Sequence, residues 1–257
     1  MASLELAQII KKHFNTDVNF YKNDSINSDY FSNRVNNPYR QTIQMEIFLN
    51  NLNYFDKAKN IYDPACGTGS DIAYMAKHHK KNKFFASDIN KNFIKAAKSR
   101  IDLPNLKFFT EDLYKASSSA KYKNFDSLYL GSTLSWVDWW LDVFNTLITE
   151  NVQQVAFDAL AWDWDMESEV IHYRKGKNED PLNFIKYNVL SINKLKDFFK
   201  NNSFKLSYST QFNIDIELKD KDKSKLGSYT IKTKNDKYLI FSAWQYLPRV
   251  FFYFSKI

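Results

Sequence analysis

The stretch "NIYDPACGTGSDIAYMA", Asn60 to Ala76, sets the tightest limit on what this chain can fold into. Only five glycines occur in 257 residues, and two of them, Gly67 and Gly69, stand here one residue apart. An apolar run ending in Asp63 precedes them, and a run with helical spacing follows. Glycine permits tight turns and close backbone approach, and the first turn of a helix presents free N–H groups. A strand, a glycine turn and a helix in that order predict a nucleotide-type ligand site. The third glycine of a dinucleotide fingerprint would fall at Ile72, too bulky for close packing beneath a pyrophosphate. No Lys-Ser/Thr pair follows the turn, so it is not a phosphate loop of the Walker kind.

From about residue 58 short apolar runs alternate with amphipathic ones. "KNIYD", "NKFFASD", "NLKFFTED", "FDSLYLG" and "VQQVAFDAL" read as strands. "SDIAYMAKHH", "KNFIKAAKSRI" and "SWVDWWLDVFNTLI" read as helices between them. Such alternation builds a mostly parallel sheet with helices on both faces. After Leu160 the period breaks, and residues 161–189 read as an irregular inserted lid. "SINKLKDFFKNN" restores a helix, with Ser191 as N-cap. The β-rich runs 204–210, 212–218, 228–233 and 238–247 have no helix between them and should pair antiparallel, and the tail "VFFYFSKI" reads as a strand. The expected organisation is one domain. It comprises an N-terminal helical cover (1–55), a cofactor-binding half (56–160), the lid (161–189), and a C-terminal helix with antiparallel strands (190–257).

A net charge of +7 favours acidic partners, although most of the excess is scattered lysine of the kind that faces water. Cys66 is the only cysteine, which excludes an intrachain disulfide and an all-thiolate metal site. The start "MASLELAQIIKKHF" lacks the pattern of a signal peptide, and no apolar run nears the ~20 residues of a membrane helix. A cytoplasmic protein with no membrane partner is the expectation.

"IYDPACGTGSD" resembles the first motif of the class I S-adenosylmethionine-dependent methyltransferases, and the resemblance runs over roughly Arg40 to Ala161. It implies the family's Rossmann-like seven-stranded sheet with S-adenosyl-L-methionine as cofactor. "FFASDINKNFIKAAKSR" is similar to the second motif, which implies that Asp88, followed by Ile89, takes both ribose hydroxyls. "FFTEDLY" matches the third, with Glu111 and Asp112 toward the adenine and Leu113 flanking its ring. "FDSLYLGSTLSW" resembles the fourth, with Leu130 and Gly131 passing the methionine portion. Ala65, Gly67 and Gly69 would form the turn, Asp63 beside it would help to hold the cofactor's ammonium or the turn itself, and Arg40 would pair with the methionine carboxylate. A fainter likeness, including a lid after strand five, points to the glycine N-methyltransferase branch. The arginine that branch places after strand five is replaced here by "DALAWDWD".

Nucleic acid is disfavoured as a substrate. The Pro-Pro motif of adenine-N6 enzymes is missing from "LGSTLSW", and Ala65 separates Pro64 from Cys66 where cytosine-C5 enzymes join them. Five of the six tryptophans follow strands four and five: Trp136, Trp139, Trp140, Trp162 and Trp164. Trp139, Trp140 and Phe144 suit the packed face of a helix, whereas Trp136, Trp162 and Trp164 suit an acceptor pocket. In "VIHYRKG", His172 is the candidate general base, and Tyr173 and Arg174, with Lys175 and Lys177, could hold an anionic acceptor. The expected function is methyl transfer from S-adenosylmethionine, on oxygen, to an anionic small molecule such as a phosphorylated, nucleotide-linked, sugar or carboxylate metabolite. The alternatives are an amino-acid or amine N-methyltransferase, and a non-catalytic cofactor-binding protein. A homodimer contact is the competing use of exposed lid tryptophans.

Overall fold

The computed structural model describes residues 40–118, 124–174, 183–211, 213–214, 228–232, 238–242 and 248–257. Two short helices lead in, α1 (Arg40–Asn51) and α2 (Tyr54–Lys57). Then β1 (Asn60–Asp63), α3 (Ser70–His78), β2 (Lys83–Asp88), α4 (Lys91–Arg100) and β3 (Leu106–Thr110) alternate as the sequence spacing predicts. A 3-10 turn (Leu113–Ser118), β4 (Ser127–Leu130), α5 (Trp140–Leu147) and β5 (Gln154–Trp162) complete the parallel half. After β6 (Ser168–Arg174) and β7 (Asn183–Ser191) come α6 (Ile192–Asn201) and β8 (Phe204–Gln211). The last strands are β9 (Asn213–Ile214), β10 (Ser228–Lys232), β11 (Tyr238–Ser242) and β12 (Arg249–Lys256).

The main sheet runs β3-β2-β1-β4-β5-β12-β8. The first five strands are parallel, and β12 pairs antiparallel with both β5 and β8. These seven strands are the predicted Rossmann-like sheet, including the terminal strand. Alternation along each strand divides the core into two layers. Leu128 and Leu130 of β4, Phe157 of β5 and Phe252 and Phe254 of β12 face α5 and α6. Tyr129, Ala156, Phe251 and Tyr253 face the layer that also holds Met45, Ile72, Met75 and Ile94. Phe199 of α6 is fully buried and stacks on Phe254 with ring centroids 3.9 Å apart. Phe199→Ala is therefore expected to cost about 3–5 kcal/mol, readable as a lowered denaturation midpoint at unchanged slope.

Three expectations need correction. The lid is not irregular: β6 and β7 form an antiparallel hairpin, and β7 returns parallel to the end of β5 through Ala161↔Leu190 and Trp162↔Ser191. Its boundaries also shift, since β5 reaches Trp162 and β7 reaches Ser191. Of the C-terminal runs, only β8 and β12 join the main sheet, while β9, β10 and β11 form a separate three-stranded sheet. The third concerns the helix after strand four, which starts only at Trp140. Trp140 and Phe144 are buried as expected, but Trp139 is 65% exposed. The proposed cover (1–55) is described only from Arg40, and the Lys-Asp run 219–225 lies outside the described residues.

At the far end of α3, one carboxylate oxygen, Glu46 Oε1 of α1, meets His78 Nδ1 at 2.9 Å and His79 Nε2 at 2.8 Å. His79 also stacks on Phe55 of α2, and Asp56 adds a weaker charge. Burial lowers the His79 pKa, outweighing the opposing pull of Glu46. A histidine whose folded pKa is lowered stabilises the fold in its neutral form, so that stability is lost as pH falls below about 6.5. Thermal melts should show a lower Tm at pH 5.5 than at 7.5, with a smaller drop in His79→Gln.

Candidate functional site

The parallel strands all end on one edge, where open α/β sheets gather ligands. Asp63 closes β1 and is 3% exposed. Its Oδ1 accepts the Ala65 N–H at 3.2 Å, so it pins the turn that follows. Burial raises its pKa well above the ordinary carboxylate value, and the charges of Asp71 and Asp88 push the same way. The turn is tied to β2 as well. Cys66 N–H donates to the Ser87 carbonyl at 2.8 Å, and Gly67 N–H donates to Asp88 Oδ2 at 2.9 Å.

Both glycines have left-handed backbones, with φ +57° at Gly67 and +78° at Gly69. Their surroundings differ. A Cβ on Gly67 would meet nothing within 4 Å, whereas one on Gly69 would lie 2.5 Å from Phe108 Cε1. Gly69 thus lets α3 close onto the sheet, and Gly67 leaves an open cradle above the turn. Ile72 is fully buried in the layer beneath α3. This fits the absence of a third glycine in the fingerprint.

Asp88 closes β2. Its Oδ1 accepts Asn90 N–H at 2.8 Å, beside the bond from Gly67 to Oδ2. A carboxylate offers about four acceptor sites, so two remain for a ligand's hydroxyls. Burial raises its pKa, and these two backbone bonds oppose the rise. Ile89 beside it is half-buried, and Asn90 caps α4 by accepting from Asn92 N and Phe93 N. Beyond β3, Glu111 N–H donates to the Asp88 carbonyl at 3.1 Å. Asp112 accepts Tyr114 N–H at 3.1 Å and pairs with Lys115 at 3.7 Å, so it caps its own 3-10 turn. Leu113 packs partly against the core.

Leu130 ends β4 fully buried, and Gly131 begins the chain beyond it. Tyr114 reaches across, its hydroxyl accepting Asp138 N–H at 3.1 Å. Trp136 is half-buried against Tyr187, with centroids 4.7 Å apart, and packs on the hairpin base with Leu160 and Val189. Trp162 stacks on Trp164 at 5.5 Å, and Trp164 is 59% exposed. Trp140 Nε1 donates to Glu167 Oε1 at 2.6 Å, and Lys194 pairs with the other oxygen at 3.1 Å. These contacts join the loops after β3, β4 and β5 into one rim.

The backbone of His172, Tyr173 and Arg174 lies on β6 opposite Ile185, Phe184 and Asn183, toward the hairpin tip. The side chains of these three, and that of Arg40 at the start of α1, lie outside what the structure describes, as do Lys175 and Lys177. Sequence reasoning missed a buried constellation next to Gly131. Asp158 of β5, Arg249 of β12 and Ser132 are mutually bonded there. A lone Asp inside the apolar run "VAFDALA" was the available signal, because a charge in a buried strand needs a partner. A cavity of about 770 Å³, lined by residues that include Asn60, Lys83, Asn105 and Asp126, opens at the opposite ends of the strands. It takes no part in this site. Among the described residues, no cluster suited to a metal ion occurs and no helix is long and apolar enough to cross a membrane.

Residues 61–150 match the family model of a methyltransferase domain. The fold is that of solved S-adenosylmethionine-dependent methyltransferases. Among solved structures, the chain is similar to an S-adenosylmethionine-dependent methyltransferase from Clostridium acetobutylicum. The identity is 11%, the TM-score is 0.53, and 84% of this chain and 92% of that one are covered. Magnesium protoporphyrin IX methyltransferase from Synechocystis, with bound S-adenosylhomocysteine, matches over 100% of both chains at 10% identity and TM-score 0.54. A glycopeptide N-methyltransferase matches 91% of this chain and 100% of its own at 10% identity and TM-score 0.55. At such identities these likenesses speak to the fold, and they do not single out the glycine N-methyltransferase branch. No curated protein matches in sequence.

Proposed function

We propose that the protein transfers a methyl group from S-adenosylmethionine to an oxygen of an anionic small molecule held at the rim formed by the loops after β3, β4 and β5. The observation that carries the cofactor part is the pairing of the open cradle over Gly67 with Asp88, whose two oxygens keep acceptor capacity for ribose hydroxyls. The residues fit the group. Asp88 would take the ribose, Leu113 would flank the adenine, and the backbone of Gly67 and Gly131 would pass the methionine arm. Asp71, whose charge reaches Asp63 beside the turn, adds negative charge near a donor that carries a positive sulfonium. When bound, the cofactor supplies an activated methyl carbon. The chain's own task is to hold the acceptor in line with it and to keep water away.

The net charge of +7 supports an anionic acceptor. An oxygen that arrives deprotonated, as in a carboxylate or phosphate, attacks the methyl carbon without a general base. Trp136, Trp162 and Trp164 would wall the acceptor, and Arg174 on the hairpin is the residue proposed to meet its charge.

Calorimetric titration of S-adenosylmethionine and S-adenosylhomocysteine, followed by a labelled-methyl screen of carboxylated and phosphorylated metabolites, tests both parts. The reading expects saturable binding and label in an anionic acceptor. Label found only in amines would overturn the oxygen assignment. Absence of binding by the folded protein would overturn the cofactor itself.

A further inference from the structure

Ser132, directly after Gly131, has φ +56°, a left-handed backbone that a serine seldom adopts. Three contacts hold it there. Its N–H donates to Asp158 Oδ1 at 2.7 Å, and its hydroxyl lies 3.3 Å from Asp158 Oδ2. Arg249 Nη1 donates to the same hydroxyl at 2.8 Å and also to Asp158 Oδ2. Asp158 and Arg249 are 3% and 6% exposed. Their place follows from the register. Leu130 pairs with Phe157, so Asp158 is the first residue of β5 beyond the last β4 partner, where the β4 chain turns away. Arg249 opens β12 opposite Leu160, on the other side of β5. The segment is tight on its other flank too. A Cβ on Gly131 would lie 2.9 Å from the Tyr129 hydroxyl, and Thr133 Oγ1 donates back to the Gly131 carbonyl at 3.2 Å.

We propose that Asp158 and Arg249 form a positioning clamp that holds Ser132 in its left-handed conformation and so fixes the course of Gly131 past the cofactor's methionine arm. The clamp rests on the cofactor reading above, because the course of Gly131 matters only if that arm lies there. Glycine would adopt this backbone more freely than serine. The serine keeps a hydroxyl that both partners of the ion pair engage, which ties the turn to the pair. A carboxylate is suited to the post because its two oxygens serve two separate donors, the Ser132 N–H and the Arg249 guanidinium. An amide has one acceptor oxygen and leaves one of those donors unserved. The competing account is that the pair only staples β12 to β5.

The test is a double-mutant cycle on S-adenosylhomocysteine affinity, measured by calorimetry in wild type, Asp158→Asn, Ser132→Gly and the double variant, each first shown to be folded by thermal melting. The clamp predicts that Asp158→Asn weakens binding about tenfold in the wild-type background. In the Ser132→Gly background, where the backbone no longer needs holding, the same change should cost about twofold or less. Equal losses in both backgrounds, or none in either, would overturn the clamp while leaving the cofactor reading intact. Failure of folded wild type to bind would overturn the cofactor reading and the role of the clamp with it. If Asp158→Asn does not fold, Arg249→Lys replaces it in the cycle. Lysine keeps the charge but lacks the fork, and the same pattern of losses decides.

Discussion

Gly69→Ala is expected to lower the melting temperature by about 5–15 °C, whereas Gly67→Ala, two residues away, should lower it by only about 2–5 °C and weaken cofactor binding as well. The two positions share a left-handed backbone, with φ +78° and +57°. A side chain there costs about 1–2 kcal/mol at either site. The difference lies in what the new methyl group meets. At Gly69 it would press on Phe108 at 2.5 and 2.7 Å and approach Ile101 at 3.4 Å. Phe108 is itself buried between β3 and the helices, so the ring has little room to retreat. Overpacking adds about 1–3 kcal/mol, giving about 2–5 kcal/mol in all. At Gly67 the added carbon projects into open space, and that space is where the backbone would approach a bound ligand. Thermal melts with and without S-adenosylhomocysteine separate the two effects. Equal melting temperatures for the two variants would show that Gly69 is not held against Phe108 as the structure has it.

That division of labour between neighbouring glycines was only half legible in the sequence. The strand–turn–helix spacing and the carboxylates at the ends of β1 and β2 are local signals, fixed by residues a few positions apart, and they were read correctly. Which glycine faces the core and which faces open space depends on Phe108, some forty residues away, and no local pattern carries it. The hairpin after β5 was missed for a different reason. Asp163 to Glu169 are exposed, and Val170 is only half-buried, so an apolar alternation had nothing to impose it. Trp139 and Trp140 show how one residue of phase decides an outcome. Both fit a helical face, yet the helix begins at the second, which is buried and bonded to Glu167, while the first faces out. The Ser132 constellation joins residues 26, 91 and 117 positions apart, a range at which sequence shows only that a buried charge must find a partner.

Asp88→Ala should reduce affinity for S-adenosylhomocysteine by about 100-fold or more, with Asp88→Asn falling between it and wild type. The alanine variant would lose the two charge-assisted bonds proposed to ribose hydroxyls, each worth about 1.5–3 kcal/mol before water replaces them. The carboxylate also organises the turn, since it accepts the N–H groups of Gly67 and Asn90. Removing it loosens the cradle as well as the contact. The fold should suffer less than the site. Burial raises the Asp88 pKa, so the ionised carboxylate costs stability at neutral pH, and its removal relieves that cost while two backbone donors lose their acceptor. Asparagine keeps one acceptor oxygen and loses the charge, which suits one hydroxyl but not two. The same raised pKa gives a pH signature. A protonated Asp88 accepts poorly, so wild-type affinity should decline toward acid from a pH above 3.8, the ordinary value for an aspartate. Calorimetry from pH 7.5 downward, on wild type and Asp88→Asn, reads both effects. An alanine variant that binds as wild type does would remove the ribose from Asp88 and send the search for it to Glu111 and Asp112, at the end of the neighbouring strand.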